Sequence, residues 1–392
     1  MRLDPVAREA RTMTRAEVIQ KAIEKRITWQ QAASICRISP RHILRLRRRY
    51  EQFEVEGLRD RRTGKRQPSR IPPKTVDKLC RLKKEMYADF SVKHFHQFAT
   101  EKHGLKISYT WARIVLQAKG LVEKAAGRGK YRRKRERRPM VGMLVHQDAS
   151  THAWIRGLPM ADLVITLDDA DGRILQGRFV EQEGTMSSLQ GLHHVLRRYG
   201  RFCEFYTDRG SHYCRTIDAD EGPAATQDGQ VSRVLKALGI RHILARSPEA
   251  RGRSERAFGT IQGRLPQELK LAGVTSYPAA NDYLEKTFIP DFNRRFVVRP
   301  TQSESAFIPL VGLNLDLLVS VHHDRTVQKD NTVVFEKLFL QLPPGRERLR
   351  YFRCPVIVHE LVNDTLAISY QGKLLARFDR QGTLLQTPAR AA

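Results

Sequence analysis

The sequence predicts a multidomain protein. All-α helix-turn-helix domains come first, then an α/β core on a mixed five-stranded sheet, then a small C-terminal β-barrel. Three observations carry this expectation. The chain of 392 residues exceeds one ordinary domain. Its net charge of +28 is lopsided: residues 1–140 hold 38 Lys and Arg against 14 Asp and Glu, and the remainder holds 32 against 28. The apolar pattern also changes near Met140, from helical spacing to short strand-like runs. The expected boundaries are a first helical domain at 1–66, a second helix-turn-helix-like domain at 67–124, a basic linker at 125–140, the core at 141–300, and a C-terminal linker with the barrel at 301–392.

Composition narrows the function classes. At 41% hydrophobic and 29% charged the chain reads as globular. No apolar run approaches membrane-spanning length, and the first residues lack a signal-peptide core, so a cytoplasmic protein is expected. The five cysteines form no Cys-x-x-Cys pair and read as small apolar residues. The N-terminal excess of positive charge points to a polyanion. Nucleic acid is favoured over membrane because no basic helix carries a broad apolar face.

Residues 14–52 read as three helices. Thr14, Thr28 and Ser39 are the expected N-caps, with Pro40 at the first turn of the third helix. That third helix presents Arg41, His42, Arg45, Arg48 and Arg49, as a major-groove reader would; a plain three-helix bundle with a basic face is the blander reading. The pattern recurs over 72–119, with Ser91 and Ser108 as caps, but its last helix carries only Arg113 and Lys119. The segment 124–138 is intensely basic, and Arg132, Arg133 and Lys134 are expected to neutralise phosphates.

Beyond Met140, strands are expected at 143–148, 161–169, 173–180, 201–208 and 241–245, and helices at 185–199, 231–238 and 254–271. Residues 292–309 read as loop. Short apolar runs over 326–379 suggest the barrel. Asp148 and Asp208 each close a strand-like run, and Glu255 opens a helical one. Strand-end carboxylates among apolar residues are costly unless paired or metal-bound. Three carboxylates that converge from remote positions could hold two divalent metals for phosphodiester chemistry.

Several blocks then align with a known family: 146–154 (His-Gln-Asp-Ala-Ser-Thr-His-Ala-Trp), 167–172, 206–210 (Tyr-Thr-Asp-Arg-Gly), Thr226-Gln227 with Leu238–Ile240, 247–265, and 292–296. Their order resembles the DDE transposase and retroviral integrase core, an RNase H-like fold. It is closer still to transposases of bacterial insertion sequences of the ISNCY type. The resemblance covers roughly the whole chain. It implies Asp148, Asp208 and Glu255 as the catalytic, metal-binding triad, holding two Mg²⁺ ions with Mn²⁺ as an alternative. It further implies cleavage at the terminal inverted repeats to free a 3′-hydroxyl, strand transfer into target double-stranded DNA, and a homo-oligomer on DNA near the bacterial nucleoid. The C-terminal barrel resembles the small β-domain after the core of phage Mu transposase. One departure from the retroviral pattern is the interval of 47 positions between Asp208 and Glu255, lengthened in the polar loop 215–227. Asp218 and Asp220 in that loop are minor competitors as ligands.

Around these acids, Asp168 and Asp169 read as hairpin caps. His152 and Trp154 either face DNA or pack. Arg251, Arg253 and Arg256 flank Glu255 and either hold phosphates or form a solvated basic face. The rival reading from another class is a non-enzymatic, transposase-derived DNA-binding regulator; a third is an RNase H-type nuclease.

Overall fold

The computed structural model describes residues 5–59, 71–124, 136–216, 226–245, 252–344 and 348–386. The basic segment 125–135, the loop residues Asp218 and Asp220, and Arg251 lie outside these residues. The chain divides into two compact units, Met1–Lys78 and Leu79–Ala392. Among the described residues no helix is long and apolar enough to cross a membrane.

The first unit holds α1 (Pro5–Ile23), α2 (Trp29–Ile35) and α3 (Pro40–Leu58). Ile19, Ala22, Ala32, Ala33, Ile43 and Leu46 form its core. Thr28 and Gln31 make a reciprocal capping box, and the Ser39 hydroxyl accepts from the His42 N–H ahead of Pro40. Thr14 is not a cap. It sits inside α1, where its hydroxyl donates to the Ala10 carbonyl at 2.9 Å, the i−4 back-bond available to threonine in a helix interior. α3 bends at Glu54, whose φ is 48°. Beyond the bend Gly57 presses on the Arg49 carbonyl, and a Cβ there would lie 2.1 Å from that oxygen, so only glycine fits.

In the second unit, α4 (Pro73–Glu85), α5 (Val92–Glu101) and α6 (Tyr109–Ala118) form the second helical group, whose first helix begins before the division. Ser91 and Ser108 cap α5 and α6 as expected. The buried Lys83 ammonium donates to the carbonyls of Tyr87, Ala88 and Phe90 at 2.8, 3.0 and 2.6 Å, closing the turn after α4.

The core sheet combines β1 (Leu144–His152), β2 (Ala161–Asp168), β3 (Ile174–Val180) and β4 (Glu204–Thr207). A short antiparallel pair follows, β5 (Cys214–Thr216) with β6 (Thr226–Asp228), and then β7 (Arg241–Leu244) completes the sheet. The order is β3-β2-β1-β4-β7. The first three strands are antiparallel, and β4 and β7 run parallel to β1. This is the expected mixed five-stranded sheet, with the first strand extending to His152. One face buries Val145, Phe205 and Leu175 under α7 (Thr185–Tyr199) and α8 (Gln230–Ala237). The other buries Trp154, Leu163, Ile165 and Phe179 under α9 (Gly252–Gln262), α10 (Leu265–Leu271), α11 (Tyr277–Tyr283) and α12 (Ile289–Phe296), with a π-helical turn at Leu284–Phe288. Residues 292–296, expected as loop, are thus the end of α12, held by the buried Phe292.

The second helical group is fastened to this core by polar pairs. The fully buried His94 donates to Glu268 at 2.9 Å, Arg264 reaches Gln97 at 2.9 Å, and Arg295 grips both oxygens of Glu101 at 2.7 and 2.6 Å.

After α13 (Leu315–Leu318) come β8 (Ser320–Thr326), β9 (Thr332–Phe335), β10 (Leu338–Gln341), β11 (Pro355–Leu361), β12 (Leu366–Tyr370), β13 (Lys373–Phe378) and β14 (Leu384–Gln386). The expected closed barrel is not what forms. Five strands make an open antiparallel sheet in the order β14-β13-β12-β11-β8, and β9 with β10 packs over it as a hairpin. The reason lies at the β8 edge. Gln230 of α8 takes both the N–H and the carbonyl of His322 at 3.1 Å, and Arg233 donates to the carbonyls of Leu318 and Ser320. Those groups are therefore spent on α8 and cannot pair with β14.

Burial pushes His242 down to about 4 and His359 down to about 3, so both are neutral when folded. An unfolded histidine titrates near 6.5. Below that value the unfolded chain binds more protons than the folded one, so stability is complete above it and lost as pH falls. The expected loss is about 1.4 kcal/mol per pH unit for each such histidine. Urea unfolding at pH 7 and pH 5 should show the decline, and His359→Gln should lessen it; an unchanged slope in the variant would contradict the assignment.

Candidate active site

The parallel pairing of β1 with β4 positions the two aspartates. Its register sets Leu144 against Glu204, Val145 against Phe205 and His146 against Tyr206. Two residues further on, the same register brings Asp148 beside Asp208, the first residue after β4, and neighbouring strands lie about 4.8 Å apart. Side chains alternate along a strand, so His146, Asp148 and Ser150 share one face. Asp148 pairs with Ile165, which belongs to the face covered by α9 to α12. Both aspartates are half-buried. The Asp148 carboxylate accepts from the Ala149 N–H at 3.1 Å, and the Asp208 carboxylate from the Gly210 N–H at 2.9 Å.

α9 crosses this same face. Ser254, Phe258 and Ile261 are its buried residues. At its start, Arg253 forms an ion pair with Asp169. At its end, Gln262 donates to the Ser150 hydroxyl at 2.9 Å. Glu255 lies seven residues before Gln262, two helical turns along the same side of the helix. It therefore sits on the side of α9 that meets β1, and it is exposed. Among the described residues no three His, Cys, Asp or Glu side chains converge closely enough to hold a metal ion as they stand. Even so, the donors suit a hard divalent cation. Two half-exposed carboxylates stand side by side, with a third on the overlying helix, and all are oxygen ligands.

Asp169 does more than cap a hairpin. Its side chain is 1% exposed. It accepts from His146 Nε2 at 2.9 Å and from the Arg138 backbone N–H at 2.8 Å, besides pairing with Arg253. Burial opposes its charge, but the His146 hydrogen bond, the Arg138 N–H and the two nearby cations overcome it and hold the carboxyl well below the usual carboxylate range. Asp168 is the turn cap, accepting from Gly142 N–H at 2.7 Å and Ala170 N–H at 2.8 Å, and burial pushes it up to about 6.

A buried polar chain beneath the aspartates was not anticipated. Gln147, next to Asp148, donates to the Thr166 hydroxyl at 3.1 Å and to the Ser188 carbonyl at 3.2 Å. The fully buried Tyr213 donates its hydroxyl to Gln147 Oε1 at 2.8 Å and lies 3.3 Å from Glu183 Oε1, which is also 3.3 Å from His212. Burial raises the Tyr213 hydroxyl well above its ordinary value, and the negative charges of Glu183, Asp208 and Asp148 add to the rise. The tyrosine thus stays a donor, and both aspartates lie near enough to feel it. Gly191 faces this chain because a Cβ would meet the Gln147 amide at 2.3 Å. The only signal in the sequence was a glutamine, a tyrosine and a glutamate at unrelated positions.

Trp154 packs. It is fully buried, and its indole donates to the Ala161 carbonyl at 2.9 Å. Arg256 is exposed beside Glu255, whereas Arg253 is spent on Asp169 and on the Glu136 carbonyl. In the first unit, Arg41, Arg45 and Arg48 are exposed at i, i+4 and i+7 on the side of α3 opposite Ile43 and Leu46. His42 and Arg49 are half-buried, and Arg49 donates to the Arg59 carbonyl at 3.1 Å. Residues 132–134 and 251 fall outside the described residues, as does most of the lengthened loop after β5.

A helix-turn-helix domain family model matches residues 14–66. The chain is 32% identical over 376 residues to the "Putative transposase y4bF" of Sinorhizobium fredii, a match covering 94% of this chain and 81% of that protein. The chain belongs to the transposases of bacterial insertion sequences. The transposase for insertion sequence IS1202 of Streptococcus pneumoniae is 26% identical over 316 residues, 71% of this chain and 67% of that one. Among solved structures, an intasome of simian T-cell lymphotropic virus in complex with a PP2A regulatory subunit overlays 76% of the transposase and 99% of its own chain, at 14% identity and a TM-score of 0.35. The HTLV-2 integrase catalytic core domain in complex with magnesium overlays 41% and 92%, at 13% identity and a TM-score of 0.31. These overlays are too loose to fix residue equivalences.

Asp169→Asn removes the anion that His146 and Arg253 share. It should destabilise the transposase by about 3 kcal/mol, as losing one partner of a buried ion pair does. Urea unfolding measures this, and a change under about 0.5 kcal/mol, the size of an ordinary surface substitution, would mean that the tie does not hold α9.

Proposed function

We propose that this transposase is a DDE-type enzyme that binds the terminal inverted repeats of its element, cleaves to free a 3′-hydroxyl, and transfers that end into target DNA. The observation that carries the reading is the β1–β4 register, which sets Asp148 beside Asp208 on the face that α9 covers. Asp148, Asp208 and Glu255 would hold two Mg²⁺ ions, or Mn²⁺, which supply charge neutralisation at the phosphate and activation of the attacking oxygen.

The chain's own residues do the rest. Arg41, Arg45 and Arg48 offer a basic stripe on α3 for the repeat. Gln147, held by Tyr213, fixes the backbone beside Asp148, and Arg253 fixes the start of α9 beside Glu255. Arg256 is placed to hold a phosphate of the strand being cut, and Arg251 and the linker residues Arg132, Arg133 and Lys134 add charge for the same purpose. We read 1–66 and 67–124 as the DNA-binding segments, 125–140 as the linker, 141–300 as the catalytic core and 301–392 as the C-terminal segment. Two element ends must be processed together, so the working form on the bacterial chromosome is a homo-oligomer.

Oligonucleotides carrying the element ends, with Mg²⁺, test the chemistry. Asp148→Asn, Asp208→Asn and Glu255→Gln should each lower cleavage and joining by about 10²–10³-fold, with repeat binding intact. Joining that persists in Asp148→Asn would sink the mechanism. A wild-type chain that binds the repeats but neither cleaves nor joins would instead be a DNA-binding regulator.

Arg45→Ala and Arg48→Ala should each weaken repeat binding by about 1–3 kcal/mol. A titration at fixed salt measures this, and unchanged affinity in both would remove α3 as the reader.

A further inference from the structure

Glu183 and His212 meet at the edge of the candidate site and take no part in the chemistry proposed above. Glu183 lies in the loop between β3 and α7. Its backbone N–H donates to the Asp162 carboxylate at 2.7 Å, which anchors that loop to β2. Its Oε1 stands 3.3 Å from His212 Nε2 and 3.3 Å from the Tyr213 hydroxyl. The two side chains are 19% and 15% exposed, and Nε2 itself is shielded from solvent. The imidazole contact is at an ion-pair distance rather than in the alignment of a hydrogen bond. Tyr213 gives its proton to Gln147 Oε1 at the shorter distance of 2.8 Å. Among the described residues, His212 Nε2 is thus the side-chain donor left to face the Glu183 carboxylate.

The opposite edge of the same ring reaches the Asp208 turn. A Cβ built on Gly210 would lie 2.6 Å from His212 Cε1, 3.0 Å from His212 Nδ1 and 3.0 Å from Asp208 Oδ1. The imidazole and the carboxylate therefore border one point, and Nδ1 and Oδ1 are no more than twice 3.0 Å apart. A side chain at position 210 would push the ring away from the turn. The Gly210 N–H donates to the same Asp208 Oδ1 at 2.9 Å, and the Gly210 carbonyl accepts from the Tyr213 N–H at 2.9 Å. On its other side the imidazole meets the Tyr213 ring, with centroids 4.1 Å apart. The ring is packed between that tyrosine and the glycine whose N–H holds the Asp208 oxygen.

We propose that Glu183 and His212 are a positioning pair for Asp208. Glu183, fixed to β2, holds the imidazole. The imidazole bears on Gly210, and the Gly210 N–H sets the orientation of the Asp208 carboxylate. Neither residue ligates the cation in this role. Partners standing behind a ligating carboxylate tune the affinity of a metal site, and losing one costs about 10–100-fold. The proposal rests on the reading of Asp208 as a cation ligand.

Mn²⁺ binding to the full chain without DNA, read from the free-ion signal in electron paramagnetic resonance, tests the pair apart from catalysis. Asp208→Asn should remove the binding. His212→Ala should raise the Kd for Mn²⁺ by about 10–100-fold, and the Mg²⁺ concentration for half-maximal cleavage should rise with it. Should His212→Ala fail to fold, His212→Phe keeps a ring without the two nitrogens, and the same shift is expected. An unchanged Kd in the folded variant overturns the proposal.

Glu183→Gln should weaken binding as well, but it also removes a negative charge near the site. The double variant separates the two effects. In a positioning pair, Glu183→Gln adds nothing once His212 has been replaced. Losses that add in full mean that the two residues act separately, and they overturn the pair. If the wild-type chain binds no Mn²⁺, or Asp208→Asn binds it equally well, the ligand reading itself fails and the proposal falls with it.

Discussion

The Asp169 carboxylate is the contact on which the site depends. It gathers β1 through His146, the chain entering the core through the Arg138 N–H, and α9 through Arg253. A carboxylate buried to this degree is unfavourable alone and persists only because three donors converge on it. The consequence is geometric. α9 has little apolar surface at its first turn, where Arg253, Glu255 and Arg256 are all charged. Packing at Phe258 and Ile261 fixes the far half of the helix, and the Arg253 pair adds a tie at the half carrying Glu255.

The sheet separates two kinds of polar burden. On the α7 face, the Gln147 side chain bonds the Thr166 hydroxyl, the Ser188 carbonyl and the Tyr213 hydroxyl under the strand ends, so the residue beside Asp148 is held by three hydrogen bonds. On the α9 face the carboxylates are half-exposed, and each accepts a local backbone N–H. On the proposed reading, this division positions the acids for a cation.

Much of this was legible because its causes are local. The capping residues Thr28, Ser39, Ser91 and Ser108 act within one turn, and runs such as Leu163–Leu167 can only be strands buried on both faces. What was not legible depends on partners remote in sequence. Asp169 had a sufficient local explanation as a turn residue, which hid its partners 23 and 31 positions before it. Tyr213 and Glu183 meet Gln147 only through the fold. Thr14 is a residue type that caps helices and equally bonds back within one. The C-terminal strands have the spacing of a barrel, and nothing in that spacing shows that α8 occupies the edge of β8.

The position of Glu255 follows from phase rather than from any contact of its own. Seven residues separate it from Gln262, and Gln262 is fixed to Ser150 on the Asp148 face. Two residues separate it from Arg253, and Arg253 is fixed to Asp169. A helix pinned at both points cannot rotate about its axis without breaking one of the two ties, so the side chain between them is confined to the side that faces β1. On the proposed reading, its exposure leaves the carboxylate free to serve as an oxygen ligand beside Asp148 and Asp208. A glutamate, one methylene longer than an aspartate, suits a helix that approaches the sheet from above, just as the shorter aspartates suit strand ends already side by side.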